Sequence, residues 1–269
     1  MTRRSLVSVA ISCAAGLFAT SAFAQGTPSS KATAAVNTLV SCKVSNATSV
    51  DVGTAPMTCK DVWTGYDVTV APDGFVDVMG APIKVSNSQS LFVSPTLVTG
   101  LYTQTMVRTK TGSSSTASAM GGVYLRAVLK DAAGRNVVKI ADPVGMCQND
   151  ILGCQSVGSD YGVVLDSRIQ TLTQTLSDCV VNVTVGTVAA TGTCSFDSTI
   201  DLVLKTAGAH GFNFIFPNVG QGTYYVVIQA ALDSGASVPT GSGTAVGSAA
   251  FGLGSVTVES VRLVHDFAF

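Results

Sequence analysis

Apolar and polar positions alternate with a period of two along most of this chain, in short runs separated by turn-forming residues. Such alternation is the mark of strands with one face buried. Residues 62–70 and 75–78 flank "APDG" (71–74). A proline, an aspartate and a glycine together favour a turn, so a hairpin is predicted there. "VYLRAVL" and "NVVKI" enclose "KDAAGR", a second hairpin signal, and "DCVVNVTVGTV" leads through "AATGTC" to "STIDLVLK" in the same manner. The clearest strand is "HGFNFIFPNVGQGTYYVVIQAAL", in which His210, Phe212, Phe214 and Phe216 share one face and "PNVGQG" turns the chain into residues 224–232.

Three segments depart from the alternation. In "DSRIQTLTQTLSD" and the residue before it, Leu165, Ile169, Leu172 and Leu176 recur at spacings of three and four. That spacing predicts a short helix capped by Asp166 or Ser167, against the strand preference of its threonines and serines. "TGSSSTASAMGG" (111–122) is small and polar, which predicts a mobile loop. "DSGASVPTGSGTAVGSAAFGLGS" reads as a long Gly/Ser/Ala-rich excursion before a closing strand over 256–269, itself expected to pair with residues 224–232. Many short strands, glycine-rich turns and no alternating helices predict an all-β fold: an antiparallel β-sandwich, jelly-roll-like, with at most one short helix. No repeat of 20 to 50 residues points to a solenoid or propeller.

Composition adds a compartment. Arg3 and Arg4, an apolar stretch from Leu6 to about Phe18, and Ala22-Phe23-Ala24 ahead of Gln25 form a secretory signal peptide over 1–24. Residues 25–269 are then expected to form a single β-sandwich domain, exported to the periplasm, the cell surface or the exterior. No later apolar run reaches the roughly 18 residues of a transmembrane helix. Removing Arg3 and Arg4 takes the formal net charge from −1 to −3, which leaves no basic footprint for nucleic acid. Glu259 is the lone glutamate among the acids, and aspartate suits turns and loops rather than helix surfaces.

Six cysteines follow the signal segment: Cys42, Cys59, Cys147, Cys154, Cys179 and Cys194. An even number in an exported chain reads as a disulfide framework, and proximity suggests 42–59, 147–154 and 179–194 among the 15 possible pairings. No Cys-x-x-Cys is present, and the two histidines, His210 and His265, make no zinc spacing.

Catalytic patterns are sparse. There is no Gly-x-Ser-x-Gly, and both histidines sit on strand faces where a structural role is expected. Calcium could draw on Asp67, Asp73 and Asp77, which lie close together without forming a calcium loop motif; solvated turn aspartates are the competing reading. Trp63, the single tryptophan, and Tyr66 could stack on a sugar ring, with a core anchor as the alternative for Trp63. No cofactor is implied.

The chain ends "VRLVHDFAF", alternating and closed by a phenylalanine, as outer-membrane β-barrels commonly end. His265 suits a lipid-facing side poorly, and aromatic content is only 7%, below what two interfacial girdles need. The leading expectation is an exported, disulfide-stabilised sandwich of non-catalytic type: a surface, matrix or adhesion component, or a carbohydrate-binding module, with a glycan or another surface protein as partner. An outer-membrane barrel and a secreted hydrolase with a dispersed Asp-based site are the alternatives.

Overall fold

The computed structural model describes residues 31–262 apart from 50, 51, 54, 148–153, 178, 186, 187, 195 and 196. The signal segment and the final "LVHDFAF" lie outside the described residues. In chain order the elements are β1 (Ala32–Asn37), β2 (Val40–Thr48), the one-turn helix α1 (Cys59–Val62), β3 (Val68–Val70), β4 (Val76–Val85), β5 (Gln89–Lys110) and β6 (Ser113–Lys130). Next come β7 (Val137–Ile140), β8 (Cys154–Val157), β9 (Asp160–Leu176), β10 (Cys179–Val185) and β11 (Val188–Cys194). The chain closes with β12 (Asp197–Gly211), β13 (Phe214–Val219), β14 (Gly222–Thr240) and β15 (Ser242–Val261).

Sheet A runs in the order β12-β5-β15-β2-β3, with β1 also on β15 and β13 also on β5; sheet B runs β4-β14-β6-β9-β8, with β7 also on β6. Strands β10 and β11 pair with each other as a separate ribbon. Every pairing is antiparallel except that of β2 with β3. The two sheets pack face to face as an open all-β sandwich and do not close into a barrel, which sets aside the barrel reading of the C-terminus.

The aromatic row behaves as its alternation requires. Phe214 and Phe216 are fully buried among Ile83, Leu91, Leu125, Ile228 and Leu232, and Phe212 packs against them. The "KDAAGR" hairpin is also present, joining β6 to β7. Around "APDG", by contrast, the flanking strands fall in different sheets: β3 pairs with β2 in sheet A and β4 with β14 in sheet B. That turn is a crossing between layers rather than a hairpin.

No helix forms over the described residues 166–177; β9 runs through the segment to Leu176. The β6–β9 register shifts between Val123/Tyr124, where Val123 meets Asp166 and Tyr124 meets Val164, so Leu165 is the extra residue of a bulge. Beyond the bulge Gln170, Leu172, Gln174 and Leu176 face inward while Ile169 is 75% exposed. The exposed Ile169 on the outer face and the inward Leu172 and Leu176 thus fell at an apparent helical spacing. The closing strand β15 pairs with β5, β2 and β1 in sheet A, not with residues 224–232, which lie in sheet B.

Both low-complexity segments are strand rather than loop. The turn after β5 is only Thr111-Gly112, and the β14–β15 crossing is made at Gly241, whose φ of 71° is a left-handed conformation that favours glycine. Their small residues are needed because the sheets approach very closely there. A Cβ on Gly121 of β6 would lie 2.5 Å from the Ser248 carbonyl oxygen of the opposing sheet, and one on Gly247 would collide with the carbonyls of Met120 and Gly235. Ala117, Ala119 and Ala245 fill the remaining space with Val107.

Between the thick aromatic end and this thin seam, β5 presents buried threonines to β9. Thr99 donates to Asp166 at 2.6 Å, Thr103 donates to Gln170 Oε1 at 2.7 Å, and Gln170 Nε2 donates to Thr105 Oγ1 at 2.6 Å and to the Leu202 carbonyl at 2.9 Å. On the outer face of the neighbouring β6–β9 pair, hydroxyls form a ladder: Ser114 with Thr175 at 3.1 Å, Thr116 with Thr173 at 3.1 Å and Ser118 with Thr171 at 3.0 Å.

Candidate functional site

Two concave regions gather polar side chains. The first lies on the outer face of sheet A, where residues 56–71 cross the sheet as an extra layer. The Cys42–Cys59 disulfide ties α1 to β2 with a Cα–Cα distance of 5.9 Å. The Asp61 carboxylate accepts the Thr58 hydroxyl at 2.7 Å and its N–H at 2.8 Å, and these bonds hold its pKa below the usual range. Under this turn Trp63 lies flat on the sheet. Its indole N–H donates to Ser248 Oγ at 3.1 Å, and Gly100 leaves room for the ring, since a Cβ there would stand 2.5 Å from it.

Trp63 is only 4% exposed and belongs to a small core with Cys42, Val62, Tyr102, Val246 and Ala250. The Lys205 ammonium stands 5.0 Å from the ring centroid and donates to the Val62 carbonyl at 2.8 Å. With its ring so covered, Trp63 serves as an anchor and not as a stacking platform. Tyr66, by contrast, is 55% exposed. Together they line a groove of about 160 Å³ whose walls are Val98, Ala207, Phe251 and Leu253, with Lys205 as its cation.

Leu253 enters the groove through a second bulge. The β15–β5 register shifts between Gly252 and Gly254, Leu253 takes a φ of 41°, and its side chain remains 49% exposed. A leucine held at positive φ and exposed is strained and apolar in water, the combination that functional surfaces retain.

The second region is a cleft of about 500 Å³ lined by Arg126, Lys139, Asp142, Asp160 and Tyr161, beside the Cys147–Cys154 disulfide. Arg126 pairs with Asp160 through both terminal nitrogens, at 3.2 and 3.3 Å, and its Nε donates to Gln229 at 2.7 Å over the Phe75 ring. Asp142 differs: burial pushes its carboxyl pKa upward against the pull of Lys139. The cleft therefore holds one carboxyl whose pKa burial raises beside another that is ion-paired.

Of the three aspartates considered for calcium, two take separate partners. Asp73 pairs with Lys43 at 2.7 Å. Asp77 accepts from Lys130 at 2.6 Å and from Gln229 at 2.7 Å, extending the Arg126 network; Asp67 is exposed. Burial works to raise the Asp77 pKa, but Gln229, Lys130 and Arg126 outweigh it and bring it down. Among the described residues no three His, Cys, Asp or Glu side chains group as a metal site. Cys179 and Cys194 sit directly opposite each other at the open end of the β10–β11 ribbon.

His210 stands 3.7 Å from Asp166, but the nearby Thr99 hydroxyl bonds to Asp166 and not to the imidazole. A nucleophilic relay needs the hydroxyl on the imidazole, so this trio lacks that order. Comparison with protein-family models and with curated proteins finds no match to this chain. Sequence reasoning reached Trp63 and Tyr66 but missed Lys205, Leu253 and the Asp142–Asp160 cleft. The "GLG" inside a strand was the available sign of the bulge at Leu253.

Proposed function

We propose that this disulfide-stabilised β protein is exported and binds rather than transforms its ligand, as a surface, matrix or adhesion component that takes a saccharide in the Tyr66–Leu253 groove. The observation that carries the reading is the bulged Leu253, held exposed at positive φ in the groove that Tyr66 and Lys205 also line. Apolar walls suit the C–H face of a sugar ring, the phenol can stack on it, and the ammonium can take an acidic or hydroxyl substituent. The test is a glycan array followed by calorimetry on the best binder. Tyr66→Ala and Leu253→Ala should each weaken binding by about tenfold or more with an unchanged melting temperature. Binding to no glycan, or binding indifferent to both substitutions, overturns the reading.

A second reading, a hydrolase, draws on the cleft that Asp142 and Asp160 line together, where burial raises the Asp142 pKa and Arg126 pairs with Asp160. Turnover of a polysaccharide that falls as pH rises through the raised Asp142 pKa, and that Asp142→Asn abolishes, would establish it. Absence of turnover across a polymer panel removes it.

A further inference from the structure

The edge of sheet A offers a third surface, which shares Lys205 and Ala207 with the Tyr66 groove. Among the described residues β12 pairs only with β5, in unbroken register from Asp197↔Lys110 to Gly211↔Thr96. The 15-residue strand holds no proline and no bulge, and the charges it carries are Asp197, Asp201 and Lys205. Ile200, Leu202, Val203 and Leu204 are all substantially exposed, with Val203 at 48%. This strand overhangs the opposing sheet, so apolar side chains on both of its faces meet water.

The sequence of this edge is self-complementary. Around Val203 the chain reads Asp201-Leu202-Val203-Leu204-Lys205. Laid antiparallel on a second copy with Val203 opposite Val203, Asp201 meets Lys205 and Leu202 meets Leu204, and both matches occur twice by symmetry. Beyond them Ile200 meets Thr206 and Thr199 meets Ala207, so no like charges oppose each other. Within one molecule Asp201 accepts from Gln104 Nε2 at 3.0 and 3.1 Å, and Lys205 holds the Val62 carbonyl. Both residues remain exposed, so a cross-strand partner can be added without breaking these contacts.

We infer that this protein forms a two-fold dimer by antiparallel pairing of β12 with β12 of a second copy, centred on Val203. Strand addition satisfies the edge backbone, and an isologous interface uses one patch twice. The two-fold lies perpendicular to the sheet, so both Tyr66 grooves open on the same side of a continuous double sheet.

Charge exchange tests the register. The full chain purified after export is measured by analytical ultracentrifugation over a concentration series. Asp201→Lys sets lysine opposite Lys205 and should weaken association by about tenfold or more, since two attractive pairs become repulsive. The double exchange Asp201→Lys with Lys205→Asp restores complementarity and should restore the dimer. Val203→Cys, with the two thiols meeting at the axis, should give an interchain disulfide on mild oxidation, whereas Leu253→Cys should not. Three results overturn the inference: a monomer at all concentrations, a dimer indifferent to Asp201→Lys, or a monomer whose amides over 198–208 resist exchange. In the last case another segment of this chain covers the edge.

Discussion

Replacing Gly121 by alanine probes the thin seam between the sheets with a single methyl group. The added carbon would stand 2.5 Å from the Ser248 carbonyl oxygen and 3.0 Å from the carbonyl carbon, while ordinary contact begins at 3.4 Å. Neither obstacle is a flexible side chain, so relief requires β6 and β15 to part by nearly an ångström, and the flanking contacts of Ala119 and Ala245 loosen with them. Overpacking of this kind costs about 3 kcal/mol at the upper end of its usual range. The reduced freedom of the unfolded chain returns about 0.4–1 kcal/mol. A net loss of about 2 kcal/mol should lower the melting temperature by about 4–8 °C for a domain of this size, read by circular dichroism. Gly53→Ala, where the new carbon meets nothing within 4 Å, is the matched control and should stay within a degree of the parent. If Gly121→Ala melts with the control, the sheets are not in backbone contact there and the account of the small-residue segments fails.

Two further outcomes follow from the chemistry of the outer faces. Replacing Cys42 and Cys59 by alanine opens a loop of 17-residue separation and should cost about 3 kcal/mol; Trp63, the only tryptophan, should report loosening of the outer layer by a red shift in its emission. Asp77→Asn tests the Arg126 network: the folded carboxyl titrates below its usual 3.8, so its contribution is present above that pH and is lost as pH falls through the lowered value. The parent should therefore be the more stable at pH 7 by under about 1 kcal/mol, since the pair is half-exposed, and the difference should vanish in strong acid; urea midpoints at both pH values check this.

Strand content and the aromatic core were legible because Phe214 and Phe216 keep one buried phase in β13 and Phe212, just ahead of it, packs against the same core. The segment around Ile169 was not, because an exposed apolar residue on the outer face falls three places before the inward Leu172 and imitates a helical stripe. The Gly/Ser/Ala stretches carried the composition of loops for a reason outside their own sequence, namely the backbone of the sheet across the seam. Two disulfides joined near neighbours as proximity suggested. Of the groove, Trp63 and Tyr66 are three residues apart and could be read together, whereas Lys205 and Leu253 arrive from distant strands. The burial that lifts Asp142 is likewise a property of packing.

The hydroxyl ladder between β6 and β9 is degenerate. Hydroxyl residues occupy every second position on both strands, so a slip of β9 by two residues would set Ser114 against Thr173 and Thr116 against Thr171 with the same bonds. Nothing on that surface distinguishes the correct alignment from its neighbours. Gln170 does: its amide must meet Thr103, Thr105 and the Leu202 carbonyl at once, and a two-residue slip would bring Arg168 or Leu172 to the same place. Each buried group left unanswered costs about 1–3 kcal/mol. One glutamine thereby acts as a proofreading element for a pair of strands whose exposed faces are ambiguous, and it locks β5, β9 and β12 into a single mutual alignment.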